Sequence, residues 1–322
     1  MASLRHPLRA GHALTLLEGS AEFFPALVAA VDAAATEVWL ETYIFDFTAE
    51  SQAVAEALER AARRGVQVRV VVDGFGTSGT PQAWARRLAA AGVEWQVYAP
   101  LGSLGLAWPG SWRRLHRKLC VVDRAVAFCG GINILDDLHD PNHGTLAAPR
   151  LDFCVRVQGP LVAEVHLAMQ QVWLRLQGLG GVRGFQPQAL AEAWFTPRAE
   201  PAAMATPEAL ARFAAGAPDA TGARAALLLR DNLLRRTRIE RAYLRAIGRA
   251  REEVLIANAY FVPGRRLRLA LERAAQRGVR VTLLLQGRYE YFMQYYASRP
   301  VYDALLRAGV EIHEYSPSFL HA

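Results

Sequence analysis

Apolar and polar positions switch between a period near two and a period near 3.6 along this chain, and the switching recurs in the same order in its two halves. Val38-Trp-Leu-Glu-Thr-Tyr-Ile-Phe45 and Val254-Leu-Ile-Ala-Asn-Ala-Tyr-Phe261 read as strands, each followed by an amphipathic stretch rich in Ala and Arg. Those stretches predict helices that end at Ala61-Ala-Arg-Arg-Gly65 and Ala274-Ala-Gln-Arg-Gly278, basic last turns closed by a glycine stop. Further strands are predicted over Val66–Asp73 and Val279–Gln286. Ala91-Gly-Val-Glu94 with Tyr98 and Pro100 is then matched by Ala308-Gly-Val-Glu311 with Tyr315 and Pro317. Order kept through five elements predicts an internal duplication. Strand and helix alternating in each half implies βαβ units, with a mostly parallel sheet flanked by helices. The expected organisation is a first repeat over 1–175, a connection over 176–224 rich in Gly, Pro and Ala, and a second repeat over 225–322. Gly159-Pro160 opens a helix running through Trp173, whose Val165, Met169, Val172 and Trp173 form a stripe expected to pack in the core.

Composition narrows the class without choosing a function. With 322 residues and 52% hydrophobic positions the chain can bury substantial cores. A formal charge of +7 and a pI near 9.6 suit an anionic partner, either membrane or nucleic acid. No apolar run reaches the ~18 residues of a spanning helix. Met1–Leu17 is broken by Pro7, Gly11 and His12, and lacks a signal peptide's apolar core. These features make a cytoplasmic protein, free or resting on a membrane, the default expectation. Cys120, Cys129 and Cys154 each fall in or beside apolar runs, so they are expected to be buried, inert thiols.

The chemistry concentrates at His116-Arg117-Lys118-Leu119-Cys120-Val121-Val122-Asp123, closed by Gly130-Gly131-Ile132-Asn133. This is His-x-Lys, four residues, Asp, six residues, Gly-Gly-x-Asn. On a strand the period of two puts His116 and Lys118 on one side, a nucleophile or proton carrier beside a fixed cation. Asp123 has the opposite parity and is expected to brace the strand.

That octet with its Gly-Gly-x-Asn, in a duplicated α/β chain, resembles the phospholipase D superfamily. Glu41-Thr-Tyr-Ile-Phe45, Asp152-Phe-Cys-Val-Arg-Val-Gln-Gly-Pro160, Arg230-Asp-Asn232 and Ala257-Asn-Ala-Tyr-Phe261 are similar to bacterial cardiolipin synthases, of the short type without N-terminal membrane spans. The resemblance covers the chain from about Leu14 onward. It implies a phospholipase D-like α/β fold of two pseudo-symmetric repeats, each contributing one histidine to a single active site. One histidine attacks phosphorus to give a phosphohistidine, and the other protonates the leaving alcohol. The implied catalytic residues are His116, Lys118, Asp123 and His321. Lys118 and Asn133 would hold phosphate oxygens. Asp152 would fix the tautomer of His116, or else is a polar residue opening a strand. No cofactor and no metal is implied. The implied partners are phospholipids, phosphatidylglycerol among them, and an anionic membrane surface, with nucleic acid disfavoured.

The second repeat departs from the pattern. Tyr315-Ser-Pro-Ser-Phe-Leu320 leads to His321, aligned with His116 by its preceding leucine, and the sequence stops at Ala322. The second lysine, aspartate and glycine pair would lie beyond it, so the chain reads as a piece of a longer protein or as a truncated reading frame. His321 is expected to be frayed, and the 322-residue chain alone nearly inactive.

Other signals are weaker. Asp136-Asp-Leu-His-Asp140 with His143 has metal-ligand residue types, but Pro141-Asn142 and Gly144 mark a solvated loop. Asp73-Gly-Phe-Gly76 reads as a turn after a strand. The Leu, Gly and Trp run from Leu101 to Trp112, with Arg113 and Arg114 behind it, either admits lipid through Trp108, Trp112, Arg113 and Arg114 or folds over its own core. Tyr289-Glu-Tyr-Phe292 and Tyr295-Tyr296 likewise cover acyl chains or pack. The reading that results is a phosphatidyltransferase making cardiolipin. The alternatives are a nuclease of the same superfamily and an inactive lipid-binding remnant.

Overall fold

In the computed structural model, residues 8–77, 79–100, 114–140, 143–181, 222–230, 236–288 and 301–322 are described. Trp108, Trp112, Arg113, the Tyr289–Tyr296 run and most of the 176–224 connection lie outside them. The chain divides into two compact units, Met1–Asp136 with Cys154–Leu227, and Asp137–Phe153 with Leu228–Ala322. The segment between the first motif and Asp152 therefore groups with the second repeat.

The first unit is built on β1 (Arg9–Glu18), β2 (Glu37–Thr42), β3 (Gln67–Asp73), β4 (Glu94–Tyr98), β5 (Lys118–Val122), β6 (Val126–Gly130), β9 (Phe153–Gln158) and β10 (Ala223–Ala225). They form one sheet in the order β10-β1-β9-β6-β5-β2-β3-β4. On one face lie α1 (Gly19–Asp32), α2 (Gln52–Arg63) and α3 (Gln82–Ala91). Phe23, Leu27, Val54, Leu58 and Leu88 from these helices pack with Leu40, Val68, Val70 and Cys120 of the strands. On the other face α4 (Leu161–Gly181) lays Val165, Met169 and Trp173 against Trp39, Val71, Leu119 and Val121. The β-branched residues thus fill a sheet buried on both faces.

The parallel arrangement expected from the strand–helix alternation holds for β2, β3 and β4. The motif strands differ, because β5 pairs antiparallel with β2 and β6, and β6 antiparallel with β9. A short connection such as Asp123–Ala125 can only join antiparallel neighbours. Cys120, Cys129 and Cys154 are free. Burial pushes the thiols of Cys120 and Cys129 above their ordinary range, away from the reactive thiolate.

In the second unit α5 (Arg238–Arg249), β11 (Glu253–Asn258), α6 (Arg265–Gln276), β12 (Arg280–Gln286) and β13 (Glu311–Tyr315) follow in order, with β7 (His139–Asp140) and β8 (Gly144–Thr145) as a separate short hairpin. β11, β12 and β13 are parallel neighbours. Ile247, Leu271 and Ala274 bury against Val281, Leu283 and Leu285. The three-strand register repeats that of the first unit, with Glu37 facing Gln67 where Glu253 faces Arg280.

The glycine stops recur as well. Gly65 has φ 90° and Gly278 φ 85°, the left-handed region in which a side chain is strained. No atom lies within 4 Å of where a Cβ would sit at either position. Gly65→Ala and Gly278→Ala should therefore each destabilise by about 1–2 kcal/mol through backbone strain alone, similar at both sites, as read from denaturant midpoints.

Candidate phosphodiester site

The spacing from Lys118 to Asp123 is the length of a strand. β5 begins at Lys118 and ends at Val122, and Asp123 and Arg124 turn the chain with φ 49° and 54°. The turn is locked to the start of β2. Asp123 Oδ1 accepts from Thr36 N at 2.8 Å, Thr36 Oγ1 at 2.7 Å and Glu37 N at 2.9 Å, while Oδ2 accepts from Ala35 N at 2.8 Å. Arg124 Nε bonds the Glu37 carboxylate. Burial disfavours the Asp123 charge, but these donors outweigh it and hold the carboxyl below its ordinary range. Glu37 is held at about 2, where burial opposes ionisation and His166, Arg124 and Trp39 overcome it. Grouping Asp123 with the catalytic residues is corrected by this geometry: every oxygen is committed to the 35–37 backbone and the Thr36 hydroxyl, as in a brace.

At the other end of the strand, His116 lies in the extended segment just before β5 and is exposed, whereas Lys118 is buried. The expectation that both sit on one strand is corrected to that extent, although their side chains do meet. Lys118 Nζ is 3.3 Å from His116 Nδ1 and 3.2 Å from Nε2. A cation nearly equidistant from two nitrogens whose lone pairs diverge in the ring plane stands over the ring face. Tyr43 completes the group, with its ring 4.8 Å from the imidazole and 5.4 Å from Lys118 Nζ. Both contacts favour a cation held in place.

Sequence reasoning missed Tyr43, because it read Val38–Phe45 as one strand. β2 stops at Thr42, whose Oγ1 donates to Ile44 O at 2.8 Å. The bend is held by Asn133, whose Oδ1 accepts from Ile44 N at 3.1 Å, and by Thr77, whose Oγ1 accepts from Phe45 N at 3.0 Å. With Asn133 Oδ1 so engaged, the amide nitrogen is the end that can donate to a phosphate oxygen.

Behind the strand, Arg117 Nη2 stands 2.6 Å from Glu41 Oε2, although the pair lacks hydrogen-bond alignment. Burial pushes the Glu41 carboxyl up to about 7, against the opposing pull of Arg117. Arg114, expected at a lipid entry, has an 18% exposed side chain, stacks over Phe75 at 5.0 Å and lies 4.0 Å from Asp73. Asp73 also accepts from Leu115 N at 2.7 Å and Phe75 N at 2.9 Å, which fixes the turn after β3. Arg114, expected at a membrane or substrate entry, thus faces inward toward a carboxylate.

In the second unit His321 is not frayed. His321 N donates to Leu151 O at 2.9 Å, Leu151 N donates to Phe319 O at 2.9 Å, and Ala259 N donates to Ala322 O at 3.0 Å. Its Nδ1 lies 2.8 Å from Asp152 Oδ2, a carboxylate 4% exposed. Asp152, expected to orient His116, thus orients His321. The acidic loop forms the β7–β8 hairpin, where Asp140 contacts His143 Nδ1 at 3.0 Å and Arg150 Nη2 at 2.8 Å.

Two stability experiments follow. The folded pKa of Asp123 lies below its ordinary 3.8, so its contribution is present above about pH 4 and is lost as pH falls through the folded value. Asp123→Asn should cost about 1.5–3 kcal/mol at pH 7, and denaturant titration should show the gap closing as the pH falls below the ordinary 3.8. Glu41 has the opposite sign. Its folded pKa of about 7 exceeds 4.5, so native stability should decline as pH rises from 4.5 through 7, and Glu41→Gln should flatten that decline.

Comparison with known proteins places the chain. The family model for "Cardiolipin synthase, PLD-like domain" matches residues 27–148 and 243–322. Cardiolipin synthase B of Salmonella typhi is 34% identical over 97% of this chain and 69% of its own length. Cardiolipin synthase of Geobacillus kaustophilus is 29% identical over 99% of this chain and 58% of its own length. Among solved structures, phosphatidylserine synthase of Haemophilus influenzae has a TM-score of 0.60 at 11% identity, covering 98% of this chain and 76% of that one, which shows a shared fold. A histidine–lysine pair at the head of a braced strand and a second histidine on a buried aspartate stand in a chain that belongs to the cardiolipin synthase family of phospholipase D-like proteins.

Proposed function

We propose that the protein is a phosphatidyltransferase that makes cardiolipin by moving a phosphatidyl group from one phospholipid to a hydroxyl of phosphatidylglycerol. One imidazole of the pair His116 and His321 attacks phosphorus. The nitrogen–phosphorus bond forms, the bond to the donor's alcohol breaks, and the other imidazole gives that alcohol its proton. The acceptor hydroxyl then attacks, passing its proton to the same imidazole as the nitrogen–phosphorus bond breaks. Lys118 and the Asn133 amide nitrogen hold the non-bridging oxygens, where charge builds in the transition state. Asp152 keeps the proton of His321 on Nδ1, so that Nε2 faces the reaction.

The observation that carries this reading is the 34% identity to a cardiolipin synthase B over 97% of the chain. The groups described suit phosphodiester chemistry. A charge of +7 suits an anionic bilayer surface, and no helix among the described residues is long and apolar enough to cross a membrane. The reading places the protein peripherally, at the cytoplasmic face.

A form extended to the length of its relatives, of which this chain spans 69%, should make cardiolipin from phosphatidylglycerol vesicles and leave single-stranded DNA intact. DNA cleavage without cardiolipin would retire the reading in favour of a nuclease. Lipid labelled in the phosphate should leave an acid-labile phospho-enzyme that His116→Ala abolishes. A label persisting at full yield would assign the nucleophile elsewhere. Asp152→Asn should lower turnover by up to roughly 10⁴-fold, the scale seen when a triad carboxylate is neutralised.

A further inference from the structure

Phe319, two positions before His321, is 5% exposed and supports two polar side chains that the reaction above leaves unused. The His143 imidazole lies 5.0 Å from its ring, tilted by 53°. The Arg288 guanidinium lies 5.4 Å from the same ring. His143 is exposed at its outer edge, and its Nδ1 is tied to Asp140 at 3.0 Å, so Nε2 is the outward nitrogen. Asp140 is itself anchored by Arg150, which also donates to His139 O at 2.7 Å. Among the described residues no carboxylate pairs with Arg288, whereas Arg150, Arg280 and Arg307 each have one.

Both groups are coupled to the segment that carries His321. Gln286 Oε1 accepts from Arg288 N at 3.4 Å and from Leu320 N at 3.3 Å, and its Nε2 donates to Leu320 O at 3.5 Å. His143 reaches the same segment through Phe319. A guanidinium and an imidazole on one apolar platform offer a forked anion donor and a group that exchanges hydrogen bonds with a hydroxyl. A glycerophosphate headgroup presents those two functions a few bonds apart.

We propose that His143 and Arg288, seated on Phe319, form a headgroup subsite for the acceptor lipid, with Arg288 on its phosphate and His143 Nε2 on its glycerol hydroxyl. The assignment of this ligand as the acceptor rests on the phosphatidyltransferase reading. The subsite would set which alcohol resolves the phosphohistidine and favour a lipid hydroxyl over water, since an anchored acceptor reacts at a raised effective concentration.

The test is calorimetric titration of the 322-residue chain with glycerophosphoglycerol, the soluble headgroup, and separately with inorganic phosphate. The headgroup should bind. Arg288→Ala and His143→Ala should each weaken it about tenfold or more, and Arg288→Lys by less, because a lysine keeps the charge and loses the fork. Thermal melting of each variant confirms an intact fold. No headgroup binding by the unsubstituted chain, or unchanged affinity in both folded alanine variants, overturns the subsite. Equal affinity for inorganic phosphate, lost in the same variants, marks a free-phosphate site and overturns the acceptor assignment. Absence of a phospho-enzyme in the unsubstituted form extended to the relatives' length defeats the catalytic reading instead, so the two failures are distinguishable.

Discussion

The hydrogen bond between the Asp152 carboxylate and His321 Nδ1 is the constraint on which the histidine of the second unit depends. An imidazole is a useful nucleophile or acid only when its second nitrogen is committed, because otherwise the tautomer and the ring orientation both drift. The two partners are separated by 169 residues. Asp152 follows the first motif in sequence yet belongs to the Asp137–Phe153 segment, which is part of the second compact unit. The carboxylate for this histidine comes from the stretch downstream of the first motif, far away in sequence but within the same compact unit.

The first motif solves a different problem, that of aiming a buried cation at an exposed ring. A five-residue strand is rigid along its length and weak at its ends, where the ladder stops. Both ends of β5 are supported. At one end Asp123 takes backbone donors from residues 35–37 and the Thr36 hydroxyl, while Arg124 reaches Glu37. Hydrogen bonds to a charged acceptor contribute about 1.5–3 kcal/mol, enough to hold a turn with two residues in the left-handed region. At the other end Tyr43 packs against His116 and Lys118, and Asn133 and Thr77 hold the bend that presents it. Seen this way, the four residues between lysine and aspartate measure the span from the chemical end of the strand to its anchored end.

Much of this was legible in the sequence, for identifiable reasons. The two βαβ sets announced themselves because helix stops require glycine at positive φ and because buried parallel strands are apolar throughout. Parity correctly separated Lys118 from Asp123, since a strand alternates whatever it pairs with. Parity could not show that β5 and β6 run antiparallel within a sheet otherwise begun in parallel, because short apolar runs look alike in either direction. Tyr43 was hidden by Thr42, whose hydroxyl satisfies a backbone carbonyl locally and ends the strand early. The partner of Asp152 was mistaken because a contact across 169 residues leaves no period to read. The nearer histidine in sequence was the natural guess, and the wrong one.

Consecutive cations at the head of β5 show how the fold divides charge between structure and chemistry. Arg117 and Lys118 leave the backbone on opposite faces. Arg117 points under α4, reaching Ala168 O at 3.4 Å and standing beside Glu41. Lys118 points to His116. Were both directed at substrate, their mutual repulsion would push the lysine toward its neutral form; were both neutralised, nothing positive would meet a phosphodiester. Placing the Glu41 carboxylate beside Arg117 removes one charge from the balance and leaves the other aimed at the ring. The carboxyl of Glu41 lies near 7 because its burial outweighs the poorly aligned arginine. The compensation is therefore partial near neutrality, and the strand's head keeps a net positive character where an anionic lipid would arrive.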